Sequence, residues 1–193
     1  MVQLASEAVS PKRALKLVIL DRDGVINHDS DQYIKSPAEW RPIPGSIEAI
    51  ARLNQSGYRI AVATNQSGIG RGLFDMATLN AINDKMMEMV FRQGGRIDAL
   101  FFCPHTAVEA CACRKPRTGM LEEIAARFHT ELKGVPSIGD SLKDLQAAEA
   151  VGAQPILVLT GKGKKTKEDG GMPKKTLVFD DLAEASRHLI AHP

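Results

Sequence analysis

The sequence predicts an α/β protein with three layers, in which helices cover both faces of a doubly wound, mostly parallel sheet. Apolar runs typical of buried strands alternate with amphipathic stretches typical of helices from residue 15 onward. Glycine or polar residues end most of the apolar runs, as they do at the carboxyl ends of buried parallel strands. The length of 193 residues suits one domain with a substantial core.

Six short apolar runs supply the predicted strands. The first, at 15–20, reads Leu-Lys-Leu-Val-Ile-Leu, a composition that favours a buried parallel strand. The other runs are of similar length and are bounded by turn-forming or charged residues. In chain order they lie at 59–63, 99–102, 136–138, 154–159 and 176–179.

Helical periodicity connects these strands. Apolar residues recur every three or four positions along 46–55, 75–92 and 120–128, so each segment presents one apolar face. Glycines follow the first two segments, where a helix C-terminus commonly needs them. Two further helices are predicted where a capping box precedes an amphipathic stretch. The two boxes are Ser141 with Asp144, and Asp181 with Glu184.

Two segments fall outside this alternation. Residues 1–13 are predicted to be a flexible lead-in, and 14–193 to form a single domain. The segment 161–175 is rich in Gly and Lys, and we expect a mobile, solvated loop rather than a lid that grips phosphate. No insert is long enough to form a separate cap domain.

Composition excludes several classes of protein. The net charge of +2 is too small to indicate nucleic acid or a membrane as the partner. No apolar stretch approaches the roughly 20 residues needed to cross a bilayer. Residues 1–13 lack the apolar segment of a secretory signal, so we expect a cytoplasmic protein. Three cysteines, an odd number, fit poorly with a disulfide framework.

Acidic residues follow two of the predicted strands. Asp21 and Asp23 come directly after the first strand, and Asp140 follows the strand at 136–138. Ligands of open α/β sheets bind beyond the carboxyl ends of the strands, so these carboxylates should converge. Converging carboxylates repel one another unless a cation lies among them. The sequence therefore predicts a Mg²⁺ site with a nucleophilic Asp.

The motifs around these residues resemble the four signatures of the haloacid dehalogenase (HAD) superfamily of phosphatases. Each lies at a predicted strand end or in an adjoining loop, in the order that the superfamily has. If Asp21 and Asp23 were ordinary turn residues, the other three matches would have no explanation. In chain order the motifs are Asp21-Arg22-Asp23-Gly24-Val25-Ile26, Ile60-Ala61-Val62-Ala63-Thr64-Asn65, Cys113-Arg114-Lys115-Pro116, and Gly139-Asp140-Ser141 with Asp144.

The resemblance implies a phosphatase that works through an aspartyl-phosphate. Asp21 would attack phosphorus, and Asp23 would protonate the leaving alcohol and then take a proton from water. An acid at position 23 suits an alkyl phosphate, whereas a Thr there would resemble an ion-pumping ATPase. Mg²⁺ would be held by the Asp21 carboxylate, the Asp23 backbone carbonyl and Asp140.

The same resemblance implies that basic and polar side chains surround the phosphoryl oxygens. Thr64, Asn65 and Lys115 would contact those oxygens, and Asp144 would hold Lys115 or cap its own helix. A signalling receiver domain also uses an Asp nucleophile, Mg²⁺, a Thr and a Lys on a doubly wound sheet. Its phosphoacceptor lies on a later strand and needs no acid two residues further on, so a receiver domain is the remote alternative.

Four soft ligands crowd into residues 103–113. Three thiolates and one imidazole make a closed tetrahedral site, which is typical of structural rather than catalytic Zn²⁺. The one-residue spacing within each pair is tighter than usual, and free thiols or a disulfide within the second pair are the alternatives. The loop runs directly into Lys115, so a bound Zn²⁺ would fix the backbone that carries this side chain. The ligands are Cys103, His105, Cys111 and Cys113.

The zinc loop abutting Arg-Lys-Pro resembles a narrow branch of the superfamily. That branch contains phosphatases of a heptose 1,7-bisphosphate and of histidinol phosphate, and residues 27–33 and 64–72 resemble the heptose enzymes more. The resemblance implies removal of the C7 phosphate in heptose synthesis for lipopolysaccharide, with histidinol phosphate as the alternative substrate. The implied substrate contacts are Asp29, Tyr33, Asn65, Gln66, Ser67 and Arg114.

Three further expectations concern the pocket and the assembly. Arg114 would grip the second phosphate of a bisphosphate, since its planar fork suits that group. His28 is expected to face solvent, and Trp40 to pack at the base of its loop rather than stack on a sugar. The partner would be a small phosphorylated sugar, and a monomer is the default.

Overall fold

The computed structural model describes residues 15–192, so the predicted lead-in at 1–13 lies outside the described residues. Each predicted strand is present, with bounds that agree to within two residues. The strands are β1 (Lys16–Leu20), β2 (Tyr58–Asn65), β3 (Ala99–Cys103), β4 (Pro136–Gly139), β5 (Gln154–Val158) and β6 (Leu177–Phe179).

Helices alternate with these strands along the described chain. A single 3₁₀ turn, Ala107–Glu109, lies within the Cys/His-rich loop. None of the described helices is both long and apolar enough to cross a bilayer. The α-helices are α1 (Ser46–Gln55), α2 (Met76–Arg92), α3 (Gly119–Phe128), α4 (Leu142–Ala150), α5 (Gly163–Asp169) and α6 (Leu182–Ala191).

The strands form one parallel sheet with the order β3-β2-β1-β4-β5-β6. From β1 the chain moves outward through β2 to β3, and from β4 it moves the opposite way through β5 to β6. The crevice between β1 and β4 is the place where such sheets bind ligands. The Asp21 amide donates to the Ile138 carbonyl at 2.9 Å, so the loop after β1 starts against β4.

Two apolar cores confirm the three-layer prediction. Side chains along β1 alternate, with Val18 and Leu20 on one face and Leu17 and Ile19 on the other. The first face packs against α1, α2 and α6, and the second packs against α3 and α4. No separate cap domain is present within residues 15–192, as the sequence predicted.

The segment 161–175 departs from its prediction as a solvated loop, because Gly163–Asp169 forms α5. Thr166 is buried, and its hydroxyl donates to the Asp140 carbonyl at 2.9 Å. The Lys162 amide donates to Asp140 Oδ2 at 2.8 Å. Packing against the neighbouring Asp140 therefore organises a segment that has almost no apolar periodicity of its own.

Candidate active site

Lys115 is the buried cation at the centre of the site. Its ammonium group has three donors, and three oxygens surround it in the described structure. Nζ lies 2.6 Å from the Ala63 carbonyl, 3.2 Å from Asp21 Oδ1 and 2.5 Å from Asp144 Oδ1. Burial by itself would lower the pKa of Lys115, but the carboxylates of Asp144 and Asp21 outweigh burial and raise that pKa. Lys115 therefore stays protonated beside Asp21.

Asp144 links this cation to the start of α4. Its Oδ2 accepts from the Ser141 amide at 3.1 Å and from the Ser141 hydroxyl at 2.6 Å, which completes the predicted capping box. Its Oδ1 is the atom that pairs with Lys115. The two expectations for Asp144, holding Lys115 and capping its helix, are thus both met by one side chain.

Asp21, Asp140 and Asp144 bring carboxylate oxygens within 4.8 Å of one another. Burial raises the pKa of Asp21 to about 7, with Lys115 opposing the rise and Asp144 adding to it. Burial, followed by the charges of Asp144 and Asp21, raises the pKa of Asp140 to about 8. One ammonium group is thus too little positive charge for three carboxylates, and the site calls for a further cation.

The carboxylate cluster fits Mg²⁺ by donor chemistry and by shape. Carboxylate and carbonyl oxygens are the ligands that Mg²⁺ prefers. Two glycines enclose Asp140 so closely that a side chain at either would collide with its carboxylate. A Cβ on Gly24 would lie 2.0 Å from Asp140 Oδ2, and one on Gly161 would lie 2.2 Å from the same atom. The backbone of the loop after β1 can therefore approach the carboxylate cluster.

Asp23 occupies a different environment from Asp21. Its Oδ1 accepts from Arg22 Nε at 3.1 Å, Arg22 Nη2 at 3.0 Å and Asn27 Nδ2 at 2.8 Å. Its Oδ2 accepts from Arg22 Nη2 at 3.0 Å and from Gln66 Nε2 at 2.8 Å. Among the described residues Asp23 is not part of the carboxylate cluster, and its side chain is held by Arg22, Asn27 and Gln66 instead.

The end of β2 brings the remaining predicted polar groups to the site. Thr64 is buried, and its hydroxyl accepts from Gln66 Nε2 at 2.9 Å. The Asn65 amide spans the Lys115 backbone, donating to its carbonyl and accepting from its N–H, each at 3.1 Å. Asn65 thereby fixes the loop that carries Lys115, while its predicted contact with phosphate stays a prediction.

A cleft of about 350 Å³ opens above these groups. It is bordered by the side chains predicted to contact substrate and by several that sequence reasoning did not single out. His28 is exposed and lies outside this cleft, and Trp40 is fully buried, so the expectations for both are met. The predicted lining residues are Asp29, Tyr33, Asn65, Gln66, Ser67 and Arg114, and the additional ones include Asp31, Lys143 and Lys162.

The predicted zinc ligands also come together. The Sγ atoms of Cys103, Cys111 and Cys113 and Nδ1 of His105 lie within 4.8 Å of one another. Sulfur–sulfur distances are 3.3–3.6 Å, and the Nδ1–Sγ distances are 3.3 and 3.6 Å. A Zn²⁺ tetrahedron with metal–sulfur bonds of about 2.3 Å has sulfur–sulfur edges of about 3.8 Å. The donor set and its spacing therefore fit tetrahedral Zn²⁺.

The Cys/His cluster is joined to the active site by backbone and side-chain hydrogen bonds. The backbone N–H of Gln66 donates to the Cys103 carbonyl at 2.7 Å, and Arg114 Nη1 donates to the His105 carbonyl at 3.1 Å. The same loop continues into Lys115. A change in the Cys/His cluster would thus be transmitted to two cleft residues and to the central cation.

Sequence reasoning missed four charged residues of the site, namely Arg22, Asp31, Lys143 and Lys162. Arg22 is fully buried, and its guanidinium pairs with the Asp23 carboxylate. Lys162 pairs with Asp29 at 3.0 Å and Asp31 at 3.4 Å across the cleft. Nothing in its Gly/Lys-rich surroundings distinguished it from other surface lysines.

Comparison with known proteins was informative along most of the chain. Residues 112–185 match the HAD-hydrolase-like family model, and residues 16–148 match the polynucleotide kinase 3 phosphatase model. The chain is 55% identical over 176 residues to the D-glycero-beta-D-manno-heptose-1,7-bisphosphate 7-phosphatase of Bordetella bronchiseptica, covering 91% of this chain and 98% of that protein. The enzyme of the same name from Pseudomonas putida is 56% identical, with coverage of 91% and 100%.

Solved structures agree with these relatives. The D,D-heptose 1,7-bisphosphate phosphatase of B. bronchiseptica, complexed with magnesium and phosphate, superimposes with a TM-score of 0.91 at 54% identity, covering 93% of this chain and 100% of that one. The corresponding phosphatase of Burkholderia thailandensis gives a TM-score of 0.73 at 52% identity, with coverage of 91% and 99%. Fold, site and relatives agree, and the chain belongs to the D-glycero-beta-D-manno-heptose-1,7-bisphosphate 7-phosphatase family of HAD-like hydrolases.

Proposed function

We propose that this protein is a Mg²⁺-dependent phosphatase that removes the C7 phosphate of D-glycero-D-manno-heptose 1,7-bisphosphate, in heptose synthesis for lipopolysaccharide. The observation that carries the proposal is the buried group of Asp21, Lys115 and Asp140, which pairs a nucleophilic carboxylate with cation-binding groups at the sheet crevice. Relatives at 51–56% identity carry the name of this activity, which supports the same substrate here.

The first half of the reaction transfers the phosphoryl group to the protein. An oxygen of Asp21 attacks phosphorus while the bond between phosphorus and the C7 oxygen breaks. Asp23 donates a proton to the departing alkoxide, which is a poor leaving group without it. Lys115, held 3.2 Å from Asp21, offsets the negative charge that accumulates on the phosphoryl oxygens.

The second half regenerates the carboxylate. Asp23, now deprotonated, takes a proton from a water molecule as that water attacks the phosphorus of the aspartyl-phosphate. The bond between phosphorus and Asp21 breaks, and inorganic phosphate leaves. Splitting one hydrolysis into two displacements lets a single acid–base group serve both steps.

Mg²⁺, when bound, supplies positive charge to the carboxylates and to the phosphoryl oxygens. Asp21, Asp140 and the Asp23 backbone carbonyl would hold it, in keeping with the raised pKa values of the two carboxylates in its absence. We further propose that Zn²⁺ occupies the Cys/His cluster as a structural ion. A set of three thiols kept free for a metal suits the reducing cytoplasm.

The cleft favours a substrate with a second phosphate. Two cations, Arg114 and Lys143, border it beyond the carboxylate cluster. A third, Lys162, is paired with Asp29 and Asp31. Histidinol phosphate carries a cationic amine in place of a second phosphate, and Arg114 and Lys143 would oppose it.

The test is a direct comparison of substrates with Mg²⁺ present. Phosphate release is measured from heptose 1,7-bisphosphate, heptose 1-phosphate and histidinol phosphate over a range of concentrations. We expect turnover of the bisphosphate with loss of a single phosphate, shown to be that on C7 by NMR of the product. A higher kcat/KM for histidinol phosphate would overturn the proposed substrate, and turnover without a divalent cation would overturn the metal dependence.

A further inference from the structure

Arg22 is a buried charge whose interactions all lie close to the active site. Its side chain is fully buried, whereas the Asp23 carboxylate that it contacts is 21% exposed. A buried guanidinium must be paired, because removing it from water costs several kcal/mol. Nε and Nη2 donate to Asp23, and Nη1 donates to Asn83 Oδ1 of α2 at 3.2 Å. Asn83 itself is buried, so α2 holds the guanidinium nitrogen that does not contact Asp23.

The two oxygens of Asp23 are not equivalent. Oδ1 accepts three hydrogen bonds, two from Arg22 and one from Asn27, which exceeds its two in-plane lone pairs. Oδ2 accepts two hydrogen bonds, one from Gln66 and one from Arg22 Nη2, which also donates to Oδ1. A proton on Oδ2 displaces fewer donors than a proton on Oδ1, so Oδ2 is the oxygen better placed to carry it.

We propose that Arg22, supported by Asn83, is a positioning residue that anchors Asp23 through Oδ1 and leaves Oδ2 as the atom that transfers the proton. This inference rests on the proposed phosphatase activity and assigns the acid–base step to one oxygen. Arg22 does not touch substrate. It acts by fixing the direction in which Asp23 Oδ2 faces the leaving group.

Asp23 enters the cycle with the proton on Oδ2 and gives it to the C7 oxygen as the phosphorus–oxygen bond breaks, so the heptose leaves as a neutral alcohol. Oδ2 then accepts a proton from the water whose oxygen bonds to phosphorus. One proton leaves Oδ2 and one returns to it, while Arg22 remains a hydrogen-bond donor to Oδ1 throughout.

The experiment uses the different demands of two leaving groups. p-Nitrophenolate departs without protonation, whereas the alkoxide of the heptose needs an acid. The parameter is kcat/KM, since it reports the steps up to release of the leaving group. For Arg22→Met we expect kcat/KM for heptose 1,7-bisphosphate to fall about 30- to 300-fold, which is part of the rate gain that general acid catalysis supplies. The kcat/KM for p-nitrophenyl phosphate should fall less than about 3-fold, because its leaving group needs no acid.

Three further variants separate positioning from folding. Arg22→Lys keeps a cation but loses the fork, so its loss on the alkyl substrate should lie between wild type and Arg22→Met. Asn83→Ala should also lower kcat/KM selectively for the heptose substrate, but by a smaller factor than Arg22→Met. Arg59→Met removes an arginine from a half-exposed ion pair with Asp98 and should leave both activities unchanged. Melting temperatures of all variants show which of them are folded.

Equal losses on both substrates in folded Arg22 and Asn83 variants would overturn the inference, because a purely structural role moves both alike. Unchanged activity would overturn it as well. Asp23→Asn is the reference, and adding Arg22→Met to it should cause no further selective loss. If wild type releases no phosphate from the heptose, the proposed function itself fails. If Asp23→Asn shows the selectivity and Arg22→Met does not, only the role of Arg22 fails.

Discussion

The carboxylate cluster and the Cys/His cluster lie at the same edge of the sheet but are assembled in opposite ways. The four groups of the Cys/His cluster come from eleven consecutive residues, 103–113, so a single loop brings them together. The carboxylate cluster and its cation come from three separate segments of the chain, with Asp21 and Asp140 separated by more than a hundred residues. The first can be recognised as a local pattern, and the second exists only because β1 and β4 are adjacent.

The two clusters also differ in what they do to the protein without metal. Asp21 and Asp140 have raised pKa values, so the carboxylate cluster carries unfavourable electrostatics that suit a reactive site. The Cys/His cluster lies within one loop, and the role that we propose for it is to close that loop around Zn²⁺. Removing a group from the carboxylate cluster should therefore affect chemistry, and removing one from the Cys/His cluster should affect stability first.

The largest expected effect follows from Asp21→Asn, which removes the nucleophile but keeps its shape. We expect kcat to fall on the order of 10⁴- to 10⁶-fold, the scale found when a catalytic nucleophile is deleted. The melting temperature should stay constant or rise, because one buried carboxylate is gone and Lys115 keeps Asp144 as its partner. Steady-state kinetics and calorimetry measure the two quantities.

Asp98→Asn, in an ion pair remote from the site, is the matched control and should retain full activity. Trapping with beryllium or aluminium fluoride gives an independent check of the same prediction. An adduct on any side chain other than Asp21 would contradict the aspartyl-phosphate mechanism.

The reverse pattern is expected for Cys111→Ser or for removal of zinc by a chelator. We expect a loss of at least about 2 kcal/mol in stability, which is a drop of about 4–8 °C in melting temperature for a domain of this size. Activity should fall as a consequence, because the loop leads into Lys115 and because Arg114 donates a hydrogen bond to the carbonyl of His105 within it. Metal content, melting temperature and kcat are measured on the same samples.

Val108→Ser is the control within the same loop, because Val108 is 91% exposed and is not a ligand. It should leave all three measurements unchanged. A verified zinc-free protein with full activity and unchanged melting would remove the structural role assigned to the Cys/His cluster.

This contrast also explains how far the sequence could be read. Strands were predictable because each is a run of apolar residues, and the convergence of Asp21 and Asp140 followed from the general rule that ligands of such sheets bind beyond the strand ends. The Cys/His cluster was predictable because all four of its residues lie within eleven consecutive positions.

The missed features depend on long-range packing. The helix α5 has buried residues only at Gly163 and Thr166, so its sequence has no apolar face from which a helix could be predicted. The partner of Asn65 was not predicted either, because both polar atoms of its amide bond to the Lys115 backbone, 50 residues away in sequence. A polar side chain near a catalytic motif can be identified from sequence, but its partner is decided by which loops the fold brings together.

Arg114 joins the two clusters, and Arg114→Ala tests whether the cleft selects a second phosphate. A charge-assisted hydrogen bond is worth about 1.5–3 kcal/mol, so kcat/KM for the bisphosphate should fall about 10- to 150-fold. The value for heptose 7-phosphate, which lacks the second phosphate, should change less than about 3-fold. Arg127→Ala serves as control, since Arg127 is exposed on α3 and lies outside the cleft. Selectivity for the bisphosphate that survives Arg114→Ala would assign the second phosphate to other cations.

The smallest expected effect concerns pH and is confined to the carboxylate cluster. In the folded protein the pKa of Asp21 is raised to about 7 and that of Asp140 to about 8, from 3.8 for both. The folded state thus binds more protons than the unfolded state between about pH 4 and pH 8, so metal-free stability should decrease as pH rises through that window. Mg²⁺ binds the deprotonated carboxylates, so the rise in melting temperature that it causes should be about 2–4 °C larger at about pH 8 than at about pH 5.5. Differential scanning calorimetry with and without Mg²⁺ measures this difference, and Asp140→Asn should abolish most of it. A Mg²⁺ effect independent of pH in wild type would show that these carboxylates are already ionised without the metal.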